Sequence, residues 1–210
     1  MRLTIEQARA LYEEADSVHD FDHILRVERV AGQIARREGA DLSIVRTAAL
    51  LHDWGRSEAQ HQGRDHADVA AERAALLLTS CPPAWVEAVV HAIAAHRFRT
   101  APQPETLEAQ VLFDADKLDA IGAVGVARAF AYGGAHNQRL WAPLESVDLE
   151  RWETAGDDPV AHTPVHEFVV KLSRLRERLY TQTGRQMAEA RHRYMEDFFR
   201  RLEAEVVGEL

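Results

Sequence analysis

The sequence predicts an all-α fold, built as a single-domain helical bundle. Apolar residues recur at helical spacing in nearly every periodic segment, no alternating strand pattern of useful length occurs, and no repeat or low-complexity tract is present. The chain has 210 residues, of which 46% are hydrophobic, so it is long enough to bury the core of one large domain.

Four helices are predicted in the first half of the chain. Their apolar stripes are, in chain order, Ile24–Ile34 after Asp22, Val45–Leu51, Val69–Leu78 after the N-cap Asp65, and Trp85–His96. The first helix ends near Gly39 and the third stops before Pro82, because glycine and proline disfavour the continuation of a helix.

One long helix is predicted next, from Leu107 through Ile121 to a stop at Gly133-Gly134. Residues 134–163 show no clear period, and we interpret them as an excursion loop on the surface, either a functional lid or a mobile segment. A helix from about Pro164 to Tyr180 follows. Gly184 separates it from a last helix over about Arg185 to Val206.

These elements are predicted to form one domain over residues 1–210. Its core covers about residues 18–132, the excursion loop residues 134–163, and the C-terminal helices residues 164–207.

Charge and composition exclude several classes of function. The net charge of −9 argues against a polyanion-binding surface, so no nucleic-acid polymer is expected as a partner. A small anionic substrate stays compatible, because a bound metal ion reverses the local field. Cys81 is the single cysteine, which excludes an intrachain disulfide and a thiolate zinc cluster.

Membrane and targeting signals are not found in the sequence. No apolar run approaches the ~20 residues that span a bilayer, and Met1–Glu6 shows no signal-peptide pattern. We therefore expect a cytoplasmic protein without membrane contact, and the sequence leaves its oligomeric state open.

His52 and Asp53 are the most informative residues of the chain. An apolar helical pattern runs into this imidazole and carboxylate and then stops at Gly55. Such groups at the end of a buried helix are costly without a partner, and a divalent cation satisfies both. His23 opens the first stripe and Asp116 lies on the long helix, so both are further metal-competent side chains near apolar faces. This mixed nitrogen and oxygen set suits Mn, Mg, Co, Fe, Ni or Zn without distinguishing them.

The order of these residues resembles the histidine–aspartate (HD) domain superfamily of metal-dependent phosphohydrolases, in particular its stand-alone bacterial branch. The stretches that carry the resemblance are Asp20–Val27, Ala48–Asp53, Asp114–Gly122, Phe168–Leu172 and Thr183–Ala188. The resemblance covers almost the whole chain and implies a helical bundle of the HD-domain type. It also implies that His23, His52, Asp53 and Asp116 bind one divalent metal ion.

Two other carboxylates compete with Asp116 for the fourth ligand position. Asp114 and Asp119 lie on the same predicted helix, but the family ligand precedes a basic residue and a leucine, here Lys117-Leu118. We therefore favour Asp116, with Asp119 as a local cap or ion-pair partner.

A second ring of residues is proposed around this centre. We favour His66 and His96 as contacts to the substrate phosphate or to the attacking water, and boundary histidines without a catalytic role are the alternative. Histidines in these regions bind a second ion in two-metal relatives, so a second metal stays open. Arg26, Arg56 and Lys117 are candidates for binding substrate phosphate, with local salt bridges as the alternative.

The resemblance implies a phosphohydrolase in which a hydroxide generated at the metal attacks phosphorus, with Asp53, His66 or His96 taking the proton. It also favours a nucleotide substrate, such as a nucleoside triphosphate cleaved to monophosphate and pyrophosphate. A di-iron oxygenase of the HD type and a non-catalytic metal or nucleotide sensor are the alternative functions.

Overall fold

A computed structural model describes residues 3–12, 21–97, 102–144 and 162–210, and every regular element in these ranges is helical. The predicted all-α class is therefore confirmed. No helix among the described residues is both long and apolar enough to cross a membrane. Most of the predicted excursion loop lies outside the described residues, which end at 144 and resume at 162.

The chain divides into two compact units. The first contains residues 1–117 and 179–184, and the second contains residues 118–178 and 185–210. The organisation of the whole chain as a single domain stays a prediction.

The helices of the first unit are α1 (Ile5–Arg9), α2 (Phe21–Glu38), α3 (Leu42–Leu51), α4 (Arg56–Gln62), α5 (His66–Leu77), α6 (Pro83–Ala94) and most of α7 (Leu107–Asp119). Helix α3 packs against α2 and α6, and α5 packs against α6. The side chains of Ile24, Ile34 and Ile93 are fully buried in this unit. The predicted cap of α5 is confirmed, because the Asp65 carboxylate accepts a hydrogen bond from the Ala67 amide at 2.9 Å.

Two short helices of this unit were not predicted. Helices α1 and α4 bury one residue each, Ala8 and Ala59, so neither shows an apolar stripe that periodicity could detect.

The prediction of one long helix after Leu107 was wrong. Helix α7 ends at Asp119, and α8 (Gly122–Ala135) begins after an extended residue, Ile121, with φ −126° and ψ 167°. Gly122 has φ +77°, which non-glycine residues rarely adopt, so the helical stripe cannot continue through this point. The predicted stop at Gly133-Gly134 is close to the observed end of α8.

The second unit contains α8, α9 (Pro164–Val170), a 3-10 helix over Leu172–Arg178, and most of α10 (Gln182–Val207). Phe168 and Phe199 stack in its interior with ring centroids 4.4 Å apart. The predicted α-helix to Tyr180 was wrong beyond Val170. Leu172 and Leu175 are both buried at a spacing of three residues, which suits the 3-10 helix that replaces it.

Gly184 does not separate two helices, as predicted, but lies inside α10. A Cβ atom at this position would lie 2.8 Å from the Thr181 hydroxyl and closer still to the Asp114 carboxylate. That buried carboxylate accepts hydrogen bonds from the Tyr180 amide at 2.9 Å, the Thr181 amide at 2.8 Å and the Thr181 hydroxyl at 2.6 Å. Glycine at 184 is therefore required by the close approach of the chain to Asp114.

Candidate metal centre

Three helices of the first unit bring the four predicted ligands together. His23 lies in the first turn of α2, His52 and Asp53 follow α3 directly, and Asp116 lies on α7. The His23 Nε2 atom is 3.3 Å from His52 Nε2, 3.5 Å from Asp116 Oδ1 and 3.8 Å from Asp53 Oδ2. His52 Nε2 is 4.0 Å from Asp53 Oδ2 and 3.9 Å from Asp116 Oδ1. Segments of the chain up to about ninety residues apart in sequence thus point two imidazole nitrogens and two carboxylates at one small volume.

The orientation of His52 fits a metal ligand. Its Nδ1 atom is 2.8 Å from the Ala49 carbonyl oxygen, which can only accept a hydrogen bond. Nδ1 therefore carries the proton, and the lone pair of Nε2 faces His23 and the carboxylates. A backbone carbonyl that sets the tautomer in this way is the usual partner of a metal-binding imidazole.

A second group shares Asp53 with the first. The Asp53 Oδ1 atom lies 3.3 Å from His66 Nε2 and 3.7 Å from His96 Nε2. Ligand atoms of these three residues lie within 4.8 Å of one another, as do those of His23, His52 and Asp53. The Nδ1 atom of His96 is 2.6 Å from the Ile93 carbonyl, so its Nε2 lone pair also faces Asp53. The two predicted second-ring histidines thus lie beside the predicted metal ligands.

Arg56 and Lys117 each contact a ligand carboxylate. Arg56 Nη1 lies 3.2 and 3.1 Å from the two Asp53 oxygens, and Lys117 Nζ lies 2.6 Å from Asp116 Oδ2. These contacts correspond to the alternative interpretation as local ion pairs. Arg26 is half-buried on α2, one turn after His23. Contact of all three with substrate phosphate stays a prediction.

The electrostatics keep the two carboxylates charged and the imidazoles of His52, His66 and His96 neutral. Burial alone would raise the pKa of Asp53 and Asp116, but His52 and Arg56 beside the first, and Lys117 and His23 beside the second, hold both pKa values well below the ordinary range. Burial lowers the pKa of His52, that of His66 to about 4 and that of His96 to about 3. Ionised oxygens and neutral imidazole nitrogens are the forms that bind a divalent cation.

The two competing carboxylates have partners elsewhere. Asp114 is hydrogen-bonded to Tyr180 and Thr181, and Asp119 accepts a hydrogen bond from Arg128 Nη1 at 2.8 Å. Asp116 is the carboxylate of α7 for which contacts to His23 and His52 are found.

One residue beside the centre was missed by the sequence analysis. The Tyr12 hydroxyl donates to the Leu50 carbonyl at 2.9 Å, and burial followed by the charge of Asp53 raises its pKa well above the ordinary value. Tyr12 follows the short helix α1, where no periodic signal points to it.

Comparisons with known proteins place the chain among relatives. A family model described as HD domain matches residues 20–121. Protein YpgQ of Bacillus subtilis is 34% identical over 204 residues, which cover 95% of this chain and 90% of YpgQ. The crystal structure of YpgQ in complex with ADP matches with a TM-score of 0.72 and 33% identity, over 97% of this chain and 98% of that one.

Two further proteins are similar to this chain. A predicted HD superfamily hydrolase from an uncultured Thermotogales bacterium has a TM-score of 0.66 and 32% identity, over 96% of this chain and 90% of that one. Ribonuclease Y of Chloroflexus aurantiacus is 30% identical over 164 residues, which cover 67% of this chain and 31% of ribonuclease Y.

The histidine and aspartate cluster fits a metal-dependent phosphohydrolase. The family match and the nearly complete coverage of YpgQ show that this chain belongs to the HD-domain superfamily, among stand-alone proteins similar to YpgQ.

Proposed function

We propose that this chain is a divalent-metal-dependent phosphohydrolase that cleaves a phosphoester or phosphoanhydride bond of a nucleotide. The observation that carries the proposal is the convergence of His23, His52, Asp53 and Asp116, among which the His52 imidazole is neutral and both carboxylates are ionised. The nucleotide class is supported by the crystal structure of the similar protein YpgQ with ADP.

The four ligands would hold one divalent ion, and the residues fit it by donor type, burial and tautomer. A bound metal supplies Lewis-acid polarisation of a phosphoryl oxygen and lowers the pKa of a coordinated water. The mixed donor set accepts Mn, Mg, Co, Fe, Ni or Zn.

Side chains of the protein would carry out the proton transfer and bind the phosphate. Water adds to phosphorus, the bond to the leaving oxygen breaks, and the proton of the water passes to Asp53, His66 or His96. His96 is better suited to this step than His66, because its Nε2 lone pair faces Asp53 Oδ1 at 3.7 Å, whereas the His66 Nε2 atom lies 3.3 Å from Arg56 Nη1. Arg56, Lys117 and Arg26 would neutralise phosphate oxygens as charge develops. In a nucleoside triphosphate, cleavage between the α and β phosphates would release pyrophosphate as the leaving group.

The test is a product-resolved screen of nucleoside mono-, di- and triphosphates with Mn²⁺ or Mg²⁺. We expect turnover of at least one class, with pyrophosphate and phosphate measured separately to identify the bond that is cut. His52→Ala and Asp53→Ala should each lower kcat/KM by at least about 100-fold, since loss even of groups that support ligands costs 10–100-fold. His61→Ala, an exposed histidine of α4, is the matched control and should retain turnover.

Retention of both metal and turnover in the His52 and Asp53 variants would contradict the proposal. Nucleotide binding without turnover of any substrate would favour the sensor alternative instead.

Hydrolysis of RNA is the second candidate function, because the chain is 30% identical to part of a ribonuclease Y. The net charge of −9 opposes strong polyanion binding, so we expect slower cleavage of RNA than of a mononucleotide. An RNA oligonucleotide in the same screen separates the two, and preferential cleavage of RNA would replace the nucleotide assignment.

A further inference from the structure

The second ligand group, formed by Asp53, His66 and His96, already contains a cation. Arg56 Nη1 lies 3.2 Å from Asp53 Oδ1 and 3.3 Å from His66 Nε2. These are two of the three atoms through which the group could hold a metal ion. One guanidinium nitrogen therefore contacts the same carboxylate oxygen and the same imidazole nitrogen as a second ion would.

The lone pair of His66 cannot serve both cations. A guanidinium carries only N–H donors, so its contact with His66 requires an unprotonated Nε2 that accepts. That nitrogen has a single lone pair in the ring plane, and a metal ligand uses the same lone pair. A second metal could use His66 only after Arg56 had moved away.

The backbone brings Arg56 to this position. Arg56 is the first residue of α4, and its amide donates to the Asp53 carbonyl at 3.1 Å, which closes a tight turn after the ligand pair. The side chain then reaches back three residues onto the Asp53 carboxylate. An ion pair between Glu58 and Arg73 ties α4 to α5, the helix that begins with His66.

The charges of the described site residues also favour a single metal ion. Asp53 and Asp116 carry two negative charges, and Arg56 and Lys117, each in contact with one of them, carry two positive charges. One divalent ion leaves the cluster with two positive charges, which matches a phosphate dianion. A second divalent ion would double this excess in a largely buried volume and repel the first.

We propose that the Arg56 guanidinium takes the place of a second metal ion. The chain then holds one divalent ion, on His23, His52, Asp53 and Asp116, and loss of Arg56 opens a second metal site on Asp53, His66 and His96. This inference builds on the metal centre of the proposed function.

The experiment measures bound Mn²⁺ per chain, by equilibrium binding and elemental analysis, without substrate. We expect one ion in the wild-type protein and two in Arg56→Ala, with an electron paramagnetic resonance spectrum that shows coupling between neighbouring ions. Arg56→Lys, which keeps the charge, should remain close to one. Adding His66→Ala to Arg56→Ala should return the count to one and so assign the second ion.

Arg97→Ala is the matched control. The Arg97 side chain is 37% exposed and that of Arg56 36%, but Arg97 pairs with Asp65 instead of Asp53. Arg97→Ala should therefore still bind one Mn²⁺ ion per chain. Circular dichroism of each variant confirms that the helices are retained.

Two ions in the wild-type protein, including two irons, would overturn the inference, and so would one ion in a folded Arg56→Ala variant. Nucleotide hydrolysis in either case would leave the proposed function standing. One ion in the wild type and two in Arg56→Ala, without hydrolysis of any nucleotide, would sustain the inference and overturn the proposed function. A wild-type protein that binds no ion would overturn both.

Discussion

Glu167 illustrates how single residues in the second unit are held in their charged state. Its carboxylate accepts a hydrogen bond from His162 Nε2 at 3.1 Å and contacts Lys171 Nζ at 2.5 Å. Burial alone would raise the pKa of Glu167, but these two partners outweigh it and lower the pKa from 4.5 to about 2. The charged form therefore stabilises the fold at neutral pH.

Replacing the Glu167 carboxylate should make the free energy of unfolding less dependent on pH in the acidic range. Glu167→Gln should lower the free energy of unfolding by about 1–3 kcal/mol at pH 7, because two charge-assisted hydrogen bonds are weakened. The lowered pKa means that the wild-type advantage is complete above about pH 4.5 and declines as pH falls from there toward 2. Urea unfolding of both proteins at pH values from 7 down to about 3 checks this.

Glu189→Gln is the control, because the Glu189 side chain is 54% exposed. It should change stability by less than about 0.5 kcal/mol at any of these pH values. A Glu167 difference that grew as pH fell would contradict the assignment.

Candidate ligands could be chosen from single residues of the sequence, but the structural partners of these residues could not be predicted. His23, His52 and Asp53 are recognisable because each follows or opens an apolar stripe. Asp116 is preferred to Asp114 because Lys117-Leu118 follows it, but the residue that hydrogen-bonds Asp114, Thr181, lies 67 residues further along the chain and has no periodic relation to it. The contact of Arg56 with His66 depends in the same way on a turn whose geometry periodicity does not specify.

At the scale of elements, Gly184 tests whether close approach or helix propensity dominates at the start of α10. Alanine is the better helix former by about 1 kcal/mol, but its Cβ would lie 2.8 Å from the Thr181 hydroxyl. We expect Gly184→Ala to destabilise the fold by about 1–3 kcal/mol, since overpacking at a buried hydrogen-bond network exceeds the gain in propensity. Thermal or urea unfolding measures the difference.

Gly134→Ala is the matched substitution, because Gly134 is also helical and a Cβ there would meet nothing within 4 Å. It should be neutral or stabilise the protein by up to about 1 kcal/mol. Equal effects at both glycines would show that the approach to Asp114 does not determine the residue at 184.

Helices with long apolar stripes were predicted well, but the break between α7 and α8 was not. The stripe from Leu107 to Ile121 is helical in phase, yet the backbone leaves the helix at Ile121. Periodicity indicates which side chains are buried. A break between helices depends instead on the local backbone conformation, and the sequence does not show which of several glycines adopts it.

At the scale of the whole molecule, the metal centre should contribute to stability as well as to chemistry. Removing bound metal with a chelator should lower the melting temperature, and restoring Mn²⁺ at 100 times its Kd should add about 2.7 kcal/mol, because the ion binds the folded ligand set. Calorimetry of wild-type and His52→Ala proteins with and without Mn²⁺ provides the measurement. If Mn²⁺ raised the melting temperature of His52→Ala as much as that of the wild type, the ion would be bound elsewhere.

The unit that contains the metal centre is completed late along the chain. All four proposed ligands lie between residues 23 and 116, but residues 179–184 belong to the same unit and supply the donors to Asp114. During synthesis on the ribosome, every ligand emerges more than sixty residues before Thr181. Until then the Asp114 carboxylate lacks these donors. The metal-binding unit can therefore be completed only after residues 179–184 have been synthesised.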